Sequence, residues 1–268
     1  MAILASGEAA RSSRRPIVSN GVPAFLTTFI GSNRYAANAP EPQGPAEVYP
    51  MAFLVEQPPG SVVQAHFHEA NQFQVVVVGG GTLATHALRP VAVHYSNAFS
   101  AYGPLTAGQD GLHYLTLRNG YDRGAQYLPA ARQNLRTVRR RFREAMSGPD
   151  PDQPAVPNGR SVETLLPAAP DGLGAWRHRL QPGAVAEGPN PTTGDGQFWV
   201  VTAGTMLAAD GSSWPALSCV FVAPDEAAFA ARAGSDGLDV VVVQFPGQRD
   251  HLPEAASAAP RTGLAEAP

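Results

Sequence analysis

The pattern of apolar and polar positions changes character more than once along this chain of 268 residues. From Met51 to Arg118 short apolar runs are punctuated by glycine, proline and turn pairs, and the run Val75 to Val78 and the alternating HYLTLR of 113–118 predict strands. Asp110-Gly111 is the turn that opens the second of these. At Leu128 the period switches: Leu128, Leu135, Val138, Phe142 and Met146 recur at helical spacing with Pro129 at the start, which predicts one helix over 128–146. A proline-rich linker follows to residue 160, and strand-like patterning resumes over 161–252. The first twenty residues are polar and small and read as mobile. Residues 21–50 carry Pro23, Pro40, Pro42, Pro45 and Pro50, so 1–50 is expected to be an extended arm. The alanine-rich 253–268 is expected to be a disordered tail.

Comparing the chain with itself shows that the two strand-rich stretches are related. AGQDGLH at 107–113 matches AGSDGLD at 233–239, an offset of 126, and Gln72-Phe73 and Gly79 match Gln197-Phe198 and Gly204 at an offset of 125. Pro59-Gly60 matches Pro182-Gly183 at 123. The period is too long for a solenoid, so the reading is two copies of one β-rich unit.

The first copy contains GSVVQAHFHEANQFQVVVVG, residues 60–79, in which His66 and His68 stand two apart on a strand and share a face. This segment resembles the first motif of the cupins, G(x)5HxH(x)3,4E(x)6G, with every spacing kept and Gln72 in the glutamate position. The second motif of that family, G(x)5PxG(x)2H(x)3N, is matched more loosely by Gly103 to Asn119, which nominates His113 as a third imidazole. The resemblance implies an all-β fold of two tandem jelly-roll (double-stranded β-helix) barrels with one connecting helix. Residues 51–127 would form a metal-binding barrel, 128–160 the helix and linker, and 161–252 a degenerate barrel. In that second copy the HxH positions become Pro189 and Pro191 and the third histidine becomes Asp239, so it is expected to be a structural partner.

The resemblance further implies one divalent ion on His66, His68 and His113, with Gln72 a fourth ligand or a polar catalytic orienter. Imidazole and amide ligands suit Fe(II), Ni(II), Mn(II), Zn(II) or Cu(II), and Fe(II) is the leading choice. Open coordination positions mark a catalytic metal, and a neutral ligand set favours an anionic or chelating oxygen substrate. The expected activity is a mononuclear non-haem Fe(II) dioxygenase acting on a small organic acid or aromatic. The alternatives are a lyase or isomerase using the ion as Lewis acid, or a non-catalytic binding cupin. His86 and His94 are weaker ligand candidates.

Composition narrows this further. A net charge of −3 and 15% charged residues supply no basic field for nucleic acid. The 27 glycines and 26 prolines suit many short strands and tight turns. The lone cysteine, Cys219, reads as a small core residue and suits a reducing compartment. No apolar run reaches the roughly 20 residues of a membrane span. Arg11, Arg14 and Arg15 are followed by no apolar core segment, so no signal peptide is expected, and a cytoplasmic protein is. The arm is expected to cover a barrel edge of its own chain or of a second subunit, which makes a homodimer plausible.

Overall fold

The computed structural model describes residues 2–31, 48–135, 142–147, 159–208 and 210–247. Its strands in chain order are β1 (Ile3–Ala5), β2 (Arg15–Ser19), β3 (Val22–Ile30), β4 (Met51–Gln57), β5 (Val62–Val63), β6 (His66–Phe67), β7 (Gln72–Leu83), β8 (His86–Leu88), β9 (Val93–Ser96), β10 (Leu105–Arg118), β11 (Gln126–Tyr127) and β12 (Glu144–Met146). The second stretch adds β13 (Arg160–Leu166), β14 (Gly174–Leu180), β15 (Val185–Glu187), β16 (Gly194–Leu207), β17 (Ser213–Pro215), β18 (Cys219–Val222) and β19 (Ala230–Pro246). One large antiparallel sheet in the order β12-β9-β7-β10-β4-β3-β2 carries the first unit, and β1-β18-β16-β19-β14-β13 carries the second. The described residues are nearly all-β, with one short helix at Gly7–Ala10, and their strands fall into two antiparallel units of jelly-roll type, one for each sequence copy.

Each large sheet is buried on both faces, which explains the continuous valine runs. Val75, Phe73, Leu115 and Leu117 of the first sheet share one core with Val241, Val243, Phe198 and Phe245 of the second, and the rings of Phe73 and Phe245 lie 5.0 Å apart. The residues between them point the other way. Val76, Leu112 and Tyr114 face the interior of the first unit, and Trp199, Val240 and Val242 face that of the second. At roughly 25 cal/mol per Å² of apolar surface, this shared core is a major source of stability for both units.

The repeat is visible at the level of single glycines. Gly79 has φ +70° and a Cβ there would lie 2.2 Å from the carbonyl oxygen of Gly111; Gly204 has φ +71° with the same approach, 2.3 Å, to Gly237. Leu112 pairs with Gly79 and Leu238 with Gly204, so the two hairpins share one register. Only glycine fits a left-handed backbone this close to another chain segment.

Three expectations are corrected. The helix over 128–146 is absent from the described part of that segment: Gln126–Tyr127 pairs with β6, Arg132–Leu135 forms a single 3-10 turn, and Glu144–Met146 is an edge strand on β9. Val138 lies outside the described residues, and Phe142 is 60% exposed. The two sheets meet directly, so their shared core has no place for a helix, and the unpaired edge of β9 recruits Glu144–Met146 instead. The first twenty residues, expected to be mobile, instead carry two strands. β1 pairs with β18 on the second sheet, and β2 and β3 form a hairpin that extends the first sheet beyond β4. Residues 3–30 thus belong to both units rather than to a separate arm, in keeping with the expectation that this region covers a sheet edge. Among the described residues no helix is long and apolar enough to cross a membrane.

Candidate functional site

The first unit holds a cavity of about 90 Å³, open at its mouth, between the inner face of its large sheet, β6 and the β2–β3 hairpin. Parity decides who lines it. On β4 the alternate residues Phe53, Val55 and Gln57 face inward, and on β10 Tyr114, Thr116 and Arg118 do. Their neighbours Ala52, Leu54, Leu115 and Leu117 face the second sheet. Ile17, Val22, Ala24 and Leu26 of the hairpin close one side, and Ser19 shares a 2.8 Å hydrogen bond with the hydroxyl of Tyr127 there. The cavity therefore has an apolar body and one polar end.

His66, His68 and Gln72 all reach that polar end, as the HxH spacing requires. The imidazoles of His66 and His68 are 5.1 Å apart and nearly perpendicular. His113 does not reach it. It stands opposite Glu56 on β4, in the same parity as Leu115 and Leu117, and so projects from the other face of β10. Its counterpart Asp239 in the second unit likewise stays out of the interior and ion-pairs Arg177 at 2.7 Å. His86 is exposed. His94 is buried in a separate contact: its Nδ1 lies 2.9 Å from Gln74 Oε1 and its Nε2 3.1 Å from Glu144 Oε1. Burial outweighs Glu144 and pushes its pKa down.

The place across from the HxH pair is taken by Tyr102. Its backbone exchanges two hydrogen bonds with that of His66, at 3.1 and 3.0 Å, which sets the two side chains on one face. Its hydroxyl lies 3.0 Å from His66 Nε2 and accepts from Gln72 Nε2 at 2.6 Å. Since His66 Nδ1 is 2.7 Å from the carbonyl of Gln64 and so carries the proton, Nε2 accepts the hydroxyl of Tyr102. A sequence signal for this residue existed. Asn97-x-Phe99-x-x-Tyr102 keeps the spacing PxG(x)2H, and Phe99 adopts φ +57°, the left-handed conformation a glycine would supply.

Arg118 and Asp122 complete the polar end. Arg118, 3% exposed, donates from Nε and Nη2 to Gln72 Oε1 at 2.9 and 2.6 Å, places Nη2 3.0 Å from His68 Nδ1 and 3.3 Å from its Nε2, and pairs through Nη1 with Asp122 at 3.0 Å. Asp122 also receives the backbone N–H groups of Glu69 and Gly124, each at 2.8 Å, and meets His68 Nδ1 at 2.9 Å. Burial alone would raise the pKa of Asp122, but Arg118 and His68 outweigh it and hold the carboxyl well below the usual range. Burial pushes His66 down to about 3, helped by its neighbour His68, and pushes the Tyr102 phenol up. At neutral pH His66 and Tyr102 are therefore uncharged and Asp122 is ionised.

A divalent ion does not fit this arrangement. The lone pair of His66 Nε2 is engaged by Tyr102, the amide oxygen of Gln72 by two donors of Arg118, and a guanidinium stands against His68 Nε2. Among the described residues no cluster of three histidine, cysteine or carboxylate side chains converges on one point.

The second unit is a built-in comparison. Gln197 repeats Gln72, but Arg118 is replaced by Gln244, and the two amides bond each other at 2.7 Å. Gln74 is replaced by Trp199, fully buried and packed on Phe229 at 5.1 Å, while Tyr114 and Thr116 become Val240 and Val242. The interior that is open and charged in one copy is filled in the other, mainly by apolar side chains around the Gln197–Gln244 pair and His178.

No protein-family model matches this sequence, and a search of curated proteins finds no match. Solved structures do match. One is a Nostoc punctiforme protein assigned only provisionally as a dioxygenase, 13% identical, with a TM-score of 0.59 over 95% of this chain and 87% of that one. Another is Bacillus subtilis oxalate decarboxylase, described with Mn(II) centres, at 11%, 0.52, 95% and 79%. The coconut allergen cocosin aligns at 12%, 0.55, 91% and 85%. At these identities the likeness is one of fold. The chain has the cupin fold.

Proposed function

We propose that this protein is a bicupin with one working cavity, and that the cavity binds a small organic acid by its anionic group while the apolar body packs against the β2–β3 hairpin. The observation that carries the reading is Arg118, a buried guanidinium at the polar end of an otherwise apolar cavity, present only in the copy that has the cavity. A guanidinium recognises a carboxylate through paired N–H donors; Nη1 of Arg118 is held by Asp122, so a ligand carboxylate would take the donors that now meet the Gln72 amide, with the Tyr102 hydroxyl and His68 beside it to orient the ligand. The second unit supplies the wall against which the first is packed.

A second reading keeps the divalent-metal enzyme, an Fe(II) dioxygenase foremost or a Lewis-acid lyase or isomerase. It is favoured by the HxH pair and by the printed names of structural neighbours that include a decarboxylase with Mn(II) centres. It requires the Tyr102 phenol and the Arg118 guanidinium to withdraw from the imidazoles and from Gln72. A panel of aliphatic and aromatic carboxylates, titrated by calorimetry in the presence of a chelator, tests the first reading: at least one should bind, and Arg118→Gln should abolish that binding. Binding that appears only when Fe(II) or Mn(II) is added would favour the second.

A further inference from the structure

We infer that Arg118 and Tyr102 stand where a cupin of this motif pattern would hold its cation and third imidazole, so that this cavity works with a fixed organic charge in place of an ion. The inference deepens the organic-acid reading and rests on it in one respect, that the guanidinium is the group that meets the ligand's charge. Its own support is geometric.

Three positions converge on the HxH pair, and each is altered in a way that compensates for the others. Gln72 replaces the acidic residue of the first motif, which removes a negative charge that a metal would have welcomed. Tyr102 falls at the histidine spacing of the second motif, in an isolated β-bridge with His66, and gives His66 Nε2 a proton where a metal would accept its lone pair. Arg118 brings one positive charge into the same space, within 3.3 Å of His68 Nε2 and 2.6 Å of the Gln72 oxygen. A divalent ion at this point would stand a few ångströms from a guanidinium, and two like charges in a buried, poorly screened site repel. The negative charge that balances the cation is Asp122, placed behind His68 where a carboxylate orienting a metal-bound imidazole would stand.

The second copy argues that this cation is not a requirement of the fold. Gln244 occupies the Arg118 position, bonds Gln197, and the unit packs without a charge there. The guanidinium stands in the copy that carries the described cavity, and an amide takes its place in the copy whose interior is filled.

The test is metal binding by the full chain, before and after the two residues are exchanged. Purified protein incubated with Co(II) and dialysed should retain well under one equivalent, without the visible ligand-field bands of a bound ion. The double variant Tyr102→His with Arg118→Gln brings three imidazoles together, copies the amide pair of the second unit, and leaves Asp122 to orient His68. It should hold about one Co(II) per chain, with the bands lost again on His66→Ala. A folded double variant that takes up no Co(II) overturns the claim that these two residues exclude the ion. About one equivalent on the native protein, removed by His66→Ala, also overturns it. Should the double variant fail to fold, the native retention decides alone. A native protein that binds neither Co(II) nor any carboxylate supports the inference while sinking the organic-acid reading, so the two fail separately.

Discussion

The hydroxyl of Tyr102 lies 3.0 Å from Nε2 of His66, and the backbones of the two residues form a single β-bridge. That contact turns a pair of candidate ligands into a hydrogen-bonded network running from Gln64 through His66, Tyr102, Gln72 and Arg118 to Asp122 and His68. Every member has a partner, and a buried polar network in that state specifies one arrangement of its side chains.

Breaking the buried ion pair from one side should be costly and from both sides much less so. Arg118→Leu leaves Asp122 ionised and unpaired and should cost roughly 3–5 kcal/mol in urea unfolding. Arg118→Leu combined with Asp122→Asn should recover a large part of that loss. Equal instability of the single and double variants would show that the network, not the charge balance, carries the cost.

His113 should be dispensable for whatever the cavity binds. It projects from the other face of β10, beside Glu56, so His113→Ala should leave ligand affinity unchanged and shift stability by about 1 kcal/mol or less. A His113→Ala protein that loses binding while remaining folded would place the residue back at the site.

Stability should fall in acid, beginning near neutral pH. His66 is held down to about 3 in the folded protein against an ordinary value of 6.5, so between those limits the unfolded chain takes up a proton the folded one does not. The native state then loses up to about 1.4 kcal/mol per pH unit from this group as pH drops from about 6.5 towards 3. His94 is shifted in the same direction and adds to the loss. Lowered Asp122 contributes stability that is present above the ordinary carboxyl range and is lost as pH falls through its folded value. Urea unfolding at pH 7 and pH 5 checks this: His66→Asn should flatten the slope by close to one proton, and an unchanged slope would mean that His66 titrates normally.

Gly79→Ala and Gly204→Ala should be similarly destabilising, because each demands a left-handed backbone and would place Cβ within 2.2 or 2.3 Å of a carbonyl oxygen across the hairpin. Trp199→Ala should cost roughly 3–5 kcal/mol and open the interior of the second unit. If that variant were near wild-type in thermal unfolding, the filled interior would not be what makes the second unit a rigid wall.

By itself the sequence determined the two-copy β architecture, the HxH pair on one strand face and the loss of that pair in the second copy. These are local quantities: strand alternation, fixed spacings and glycines that no other residue can replace. It could not assign the third site position, because HYLTLR has two faces and only pairing with β4 decides that Tyr114, Thr116 and Arg118, not His113, look inward. It also predicts a helix over 128–146 that the described residues 128–135 and 142–146 do not form, and at Glu144–Met146 the helical spacing lost to a tertiary demand, the open edge of β9. That Arg118 and Asp122 stand against His68 was likewise decided only in three dimensions, since they lie about fifty residues from it and meet it only when β10 and the segment after it fold across β6 and β7.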